Sequence, residues 1–307
     1  MTKAFERVSE FWAKAAEPDY RARHARTNWM GHTEVQWHVN RACTGSAERV
    51  WVEYFRDAYL MGRRAASVLN LGCGEGVLER DLIARDFADS YTGYDVSTPC
   101  IERANDTVGR EHPRARFVQA DLNHVELPRG AFEVAFFSHS LHHIERLEHV
   151  CEETRAALQP GGFLLLNEFI GPTRMQWTEK QMAVCNRLLE ALSESLRLDV
   201  TRLPERVPRA PVARLSHAEW LRCDPSECVR SADIIPVLTQ SFEILERRDY
   251  GGTLLQKLLE NIVGNFDEEN EDHSTIMRLL ITFESILIEE GMLSSDFTFI
   301  VARPRMI

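Results

Sequence analysis

At 307 residues, with 44% hydrophobic and 27% charged positions, the chain is long enough for one large domain or a core with a sizeable cap. A formal net charge of -11 excludes a surface built to neutralise nucleic-acid phosphates. No apolar run approaches a membrane span, the N-terminus lacks the apolar core of a signal peptide, and seven scattered cysteines read as reduced thiols, so a cytoplasmic protein is expected.

Residues 1–63 read as helical. Phe5, Val8, Phe11 and Trp12 mark one amphipathic face, and Val50, Trp51, Tyr54, Phe55, Ala58 and Met61 mark another. The aromatic and polar stretch 27–32 lies between them. The apolar run 66–71 then stops at Gly72, Gly74 and Gly76, and a helical pattern follows at Leu78, Leu82 and Ile83. A buried strand ending in a glycine-rich turn that opens a helix is a nucleotide-binding arrangement. The glycines let the backbone turn tightly and approach a ligand, and free N–H groups at the helix start can face it.

A second strand, 91–95, ends in Asp95, about twenty residues on, where a carboxylate can accept from both ribose hydroxyls. A third, 116–120, ends at Asp121 and Leu122, where an acid can take the exocyclic amine of an adenine. A fourth, Phe132 to Ser138, runs into His139-Ser140-Leu141-His142-His143. Ile144, Leu147, Val150, Cys151, Thr154 and Leu158 then recur at helical spacing, Pro160-Gly161-Gly162 ends the helix, and 163–169 returns as a buried strand.

Beyond Pro172, Met182, Cys185, Leu189, Leu192 and Leu196 form one stripe of a long helix. Pro204, Pro208 and Pro211 interrupt an arginine-rich connection, and Ser216 to Glu219 opens a further helix as a capping box. Segments 241–250 and 296–302 read as the sixth and seventh strands, separated by helical stretches 253–263 and 274–290. The acidic run 267–272 reads as a solvated loop.

The series resembles the class I S-adenosylmethionine (SAM) dependent methyltransferases, particularly their broad small-molecule group. L-G-C-G-x-G at 71–76, L-x-H at 141–143 and L-x-P-G-G at 158–162 carry the resemblance, which covers residues 64–170. It implies an α/β fold: a Rossmann-like, doubly wound seven-stranded sheet with a helical N-terminal lid and helical insertions after strands 5 and 6. The expected divisions are an N-terminal helical lid (1–63), a SAM-binding core (64–170), a helical cap insertion (171–240), and C-terminal strands with a helical insertion completing the sheet (241–307).

The resemblance also implies SAM as cofactor, held by Gly72, Cys73, Gly74, Asp95, Val96, Asp121, Leu122 and the carbonyl of Ser138. The implied activity is methyl transfer to a small-molecule acceptor, at oxygen rather than nitrogen, with no nucleic-acid or membrane partner. A homodimer stays open. For Asp121, shaping a turn with Asn123 is the rival reading.

His139 is the expected general base, because an imidazole near neutrality suits taking a proton from a hydroxyl. Glu168 is the second candidate; for either residue a supporting hydrogen-bonded role is the rival. His143, at the L-x-H position, is expected to support the fold. No metal is expected, since transfer from a sulfonium needs chiefly positioning, and Cys223, Cys228 and His217 lack a second close-spaced ligand pair. Arg202, Arg206, Arg209 and Arg214 either meet an anionic group or form a solvated linker. Two other readings stay open. One is a nicotinamide-dependent reductase, which the glycine spacing and Asp121 disfavour; the other is a non-catalytic SAM-binding or scaffold protein.

Overall fold

The computed structural model describes residues 3–17 and 19–305, with side chains from Glu6 onward. Residues 1, 2 and 18 of the expected lid, the side chain of Phe5, and residues 306–307 lie outside the described part. Four helices come first: α1 (Lys3–Trp12), α2 (Tyr20–Thr27), α3 (Thr33–Thr44) and α4 (Trp51–Tyr59). Strands and helices then alternate as β1 (Val68–Leu71), α5 (Val77–Ala84), β2 (Tyr91–Asp95), α6 (Thr98–Ala104), β3 (Ala115–Gln119), β4 (Phe132–Ser138), α7 (Leu147–Ala157) and β5 (Leu158–Phe169). The rest of the chain supplies α8 (Glu179–Ala191), α9 (His217–Cys223), α10 (Ile234–Ser241), β6 (Phe242–Gly251), α11 (Leu255–Leu259), α12 (Glu271–Glu289) and β7 (Phe297–Pro304).

The strands form one sheet in the order β3-β2-β1-β4-β5-β7-β6. β1 to β5 run parallel, and β7 inserts antiparallel between β5 and β6. All four residues of β1 are buried, as a strand covered on both faces requires. Alternate residues feed two apolar layers. Phe136, Leu165 and Phe299 face one side, and Leu69, Phe137, Leu164 and Ile300 face the other. The strand order reverses between β1 and β4, so their carboxyl ends open a crevice there.

Several expectations need correction. Only the first part of residues 1–63 approaches that crevice. α4 covers the sheet instead, with Trp51 against Phe136 and Phe299 at 5.7 and 5.8 Å and Phe55 against Phe163 at 5.5 Å between ring centres. Its apolar face is therefore core, because aromatic area is best hidden against the sheet. The 182–196 stripe is not one helix: α8 stops at Ala191, although Leu192 and Leu196 stay buried. Leu158 belongs to β5, paired with Phe132, and the register shifts before Val134 meets Phe163.

The acidic run is an exposed turn at 267–270, as expected, that leads into α12 at Glu271. Asn270 caps it by accepting from Asp272 and His273 N–H, Glu271 and Asp272 occupy its first turn, and Glu268 caps α3 through Thr33. Three of the four arginines in the connection meet partners within the chain. Arg209 donates to the Leu258 carbonyl at 2.7 Å, Arg214 pairs with Glu179, and Arg202 with Glu205. Cys223 is exposed and Cys228 buried. Among the described residues no helix is long and apolar enough to cross a membrane.

Beneath the glycine-rich turn lies a buried pair. Glu79 is fully buried and accepts from Asn70 Nδ2 at 2.9 Å, and its Oε2 and Asn70 Oδ1 have no partner among the described residues. Burial pushes the Glu79 carboxyl up to about 7, with the Asn70 donor opposing. The folded chain thus holds this proton more tightly than an unfolded chain, where the ordinary value is 4.5. The resulting stability is complete below that value and is lost as pH rises towards 7, a span of about 3 kcal/mol. Urea unfolding across this range should show that slope. In Glu79→Gln it should flatten, so that the variant gains on the parent at neutral pH.

Candidate active site

Four strand ends and two caps build the site. After β1 the chain turns back under β2: the N–H groups of Gly72 and Cys73 both donate to the Tyr94 carbonyl, at 2.7 and 3.0 Å. Gly72 has φ 81°, and a Cβ there would lie 2.4 Å from Ser140 Cβ, so no side chain fits. Gly74 has φ 54°, and a Cβ on it would meet nothing within 4 Å, so the turn presents bare backbone to open space. At the end of β2, Asp95 accepts from Gly74 N–H and from Ser97 N–H, both at 2.8 Å. Burial raises its pKa even against those bonds. A carboxylate has about four lone-pair sites, so two donors leave capacity for more.

These groups line a cavity of about 400 Å³ at the carboxyl ends of the strands, within the ordinary range for small-molecule sites. Of the residues expected from the sequence, Gly72, Gly74, Asp95, Val96, Asp121, Leu122 and His139 all reach it. Three others stand back from its walls. Cys73 is buried, with its side chain close against Gly93. Ser138 sits inside the sheet, paired with Asn167. Glu168 is fully buried. Asp121 also shapes a turn, accepting through one oxygen from Asn123 N and Nδ2 at 2.9 Å each.

The histidine cluster divides in two. His139 leaves β4 with φ 53° and its N–H donates to the Asn167 carbonyl at 2.8 Å. This left-handed backbone, which costs a non-glycine residue about 1–2 kcal/mol, turns the imidazole away from the following segment and into the cavity. Burial drives the His139 pKa down to about 4, with Glu168 pulling the other way, so the ring is neutral with a free lone pair at ordinary pH.

His142, by contrast, is buried and bonds Glu168 Oε1 through Nδ1. The other three donors to Glu168 are backbone N–H groups: Ser140 at 2.9 Å and Leu141 at 2.6 Å on Oε2, and Phe169 at 2.7 Å on Oε1. Four donors and complete burial make Glu168 an anchor for the turn after β4, not a group facing a ligand. The role expected of His143 also shifts, since this residue, and not His142, lines the cavity.

The outer wall comes from residues of the segments expected as lid and cap. Val8, Trp12, Ala15 and Tyr20 close one side, and Pro225, Ser226 and Val229 another. Trp12 stands edge-on to the His143 ring at 5.0 Å. A latch ties the first wall to the glycine-rich turn: Glu75, buried within that turn, accepts from Arg21 of α2 at 2.6 Å and pairs with Arg103 of α6 at 2.5 Å. Only Val8 and Trp12 carried a sequence signal, as part of a helical face.

Comparison with known proteins agrees with this geometry. Residues 68–162 match the family model of a methyltransferase domain. The chain is 36% identical over 112 residues to a carboxy-S-adenosyl-L-methionine synthase of Chromohalobacter salexigens, covering 35% of this chain and 42% of that one. It is 33% identical over 111 residues to the 27-O-demethylrifamycin SV methyltransferase of Amycolatopsis mediterranei, covering 35% and 40%. The chain thus spans about two fifths of the length of these curated relatives. A solved structure of Haemonchus contortus phosphoethanolamine N-methyltransferase 2 shares the fold, with a TM-score of 0.53 at 15% identity over 97% of this chain and 60% of that one. Over residues 68–162 the chain is thus similar to a methyltransferase domain, and its sheet shares the fold of the Haemonchus enzyme.

The Arg21–Glu75 pair should hold the first wall in place. Hydrogen exchange on Arg21→Met should rise over residues 6–27 while the sheet strands keep their protection. Unchanged exchange over 6–27 would mean that apolar packing alone seats the wall.

Proposed function

We propose that this protein transfers the SAM methyl group to a small-molecule acceptor, at oxygen. The observation that carries the reading is the single cavity at the β1/β4 switch, where the bare Gly72–Gly74 backbone, Asp95, Asp121 and the neutral His139 meet. The residues present fit the cofactor. Asp95 has acceptor capacity for the ribose hydroxyls, Asp121 keeps one oxygen free of Asn123 for the adenine amine, and Val96 and Leu122 offer apolar contact. Cys73 and Ser138 take part through backbone atoms only. SAM supplies a methyl group already activated on a sulfonium. What the chain adds is binding, water exclusion and a place for one proton.

His139 is that place. Its neutral imidazole takes the acceptor's hydroxyl proton as the new O–C bond forms, and its backbone is fixed by the Asn167 carbonyl. An amine acceptor has less need of such a base, and the relative from Amycolatopsis is named for a methylation at oxygen. The apolar wall of Val8, Trp12 and Val229 favours a discrete molecule over a polymer. Glu168 acts at one remove, as a positioning residue.

Calorimetry with S-adenosylhomocysteine tests the binding half. Asp95→Ala should weaken it by about 1–3 kcal/mol, the scale for a buried acceptor of hydrogen bonds; unchanged affinity would remove the ribose role. For the chemistry, product mass spectrometry with hydroxyl-bearing acceptors should show His139→Ala slowed by roughly 100- to 10,000-fold at unaltered cofactor affinity. With a pKa of about 4 the base is available through the neutral range. The rate should therefore hold on acidification past the usual histidine range and fall only as pH nears that value. A decline centred near 6.5 would assign the proton to another group.

A further inference from the structure

We propose that His142, His143 and Glu227, with Asp224, form a site for a divalent transition-metal cation beside the cavity. One ring nitrogen from each histidine and a Glu227 oxygen lie within 4.8 Å of one another. His142 Nε2 is 3.7 Å from Glu227 Oε1. Ligands of one tetrahedral zinc stand about 3.4 Å apart, a gap that small side-chain rotations close. The sequence offered no metal, because these ligands lie about eighty residues apart with no spacing signature.

Two features distinguish this group from an incidental meeting of polar side chains. Asp224 is only 2% exposed, yet its Oδ2 has no hydrogen-bond partner among the described residues. A buried acceptor without a donor is expensive, and a cation held on the far side of the His143 ring, which Asp224 backs at 3.9 Å from Nδ1, supplies the compensating charge. Both imidazoles are also oriented as metal ligands are. His142 is fixed through Nδ1 by Glu168, which leaves Nε2 towards Glu227. His143 Nδ1 meets Ser226 Oγ at 3.2 Å, and that hydroxyl donates to Asp224 Oδ1 at 2.6 Å, so it accepts from the ring. Carboxylates behind the ring nitrogens are the usual outer shell of histidine metal sites.

The loop bearing the oxygen ligands is braced. Buried Arg174 donates to the carbonyls of Glu227 at 2.9 Å and Pro225 at 2.8 Å, and its N–H meets Cys228 O. Val229 N–H meets the His142 carbonyl, joining the two halves of the site. Glu168, Glu227 and Asp224 together bring three carboxyl groups to two imidazoles. The nearby Lys14 ammonium feels the charges of Asp224 and Glu227 but forms no ion pair with either among the described residues, and lies 3.4 Å from the centre of the Phe11 ring. Nitrogen and oxygen donors in this mixture favour zinc-like or cobalt-like ions over magnesium or calcium. Because His143 faces the cavity, the cation would stand where an acceptor oxygen enters; this last step alone rests on the methyl-transfer reading.

The test uses the full chain, dialysed against chelator and titrated with Co²⁺. The expected result is saturable, equimolar binding with visible absorption bands. Those bands should be lost in His143→Ala and Glu227→Gln, weakened by about 10- to 100-fold in Ser226→Ala, and kept in His217→Ala, a change at an exposed position. S-adenosylhomocysteine binding, measured on the same samples, reports whether each variant is folded. Absence of the bands, or bands unchanged in folded His143→Ala and Glu227→Gln, overturns the site. Cobalt binding without homocysteine-adduct binding in the parent would instead keep the site and sink the methyltransferase reading.

Discussion

The carboxylate of Glu168 organises the centre of this molecule. It is wholly buried, and a buried anion is tolerated only when its lone pairs are filled. The chain fills them with the N–H groups of Ser140, Leu141 and Phe169 and with the His142 ring. Meeting that requirement forces the turn after β4. The segment Ser140–Leu141 must bend over the end of β5, and His139, the residue just before it, takes the left-handed conformation that sends its ring the opposite way. One charge therefore decides which histidine meets the cavity from the strand side and which is tied down behind it.

The same charge separates the two imidazoles electrostatically. His142, in contact with Glu168, is raised to about 9 even though burial opposes protonation, whereas His139, buried without a bonded anion, falls to about 4. Without a bound cation, two histidines three positions apart thus hold opposite protonation states at neutral pH, and a cation taken by His142 Nε2 would displace that ring's second proton. Only the neutral one can accept a proton, and it faces the cavity.

Around this centre the non-core segments act as walls. α1 and α2 bring apolar side chains over the crevice and are tied to the glycine-rich turn through Glu75, the one acid in that turn. The stretch from Asp224 to Val229 closes the other side and is braced from beneath by Arg174. The helical insertion after β6 is anchored by a comparable device: Glu284 of α12 accepts from the N–H groups of Gly252, Leu254 and Leu255, at 2.7, 2.5 and 3.0 Å. Glu168 and Glu284 are thus two buried carboxylates that receive several backbone donors each.

The alternation of apolar runs with helical stripes, the three glycines after β1 and the acids ending β2 and β3 were legible from residues alone. These are local signals, since a strand end, a positive φ and a helix start each need particular residue types within a few positions. They indicated the sheet, the crevice and most of the expected residues that line the cavity. What the sequence could not rank were residues whose meaning comes from partners far along the chain. Glu168 and His139 both look like catalytic candidates until the donors on Glu168 are counted. His142 and His143 are neighbours in sequence, yet one is buried against β5 and the other faces Trp12. Asp224 and Glu227 stand in no motif of the sequence, and only folding sets them against those imidazoles. Burial and partnership are properties of the closed structure, because the field at a side chain is set by every group that packs around it.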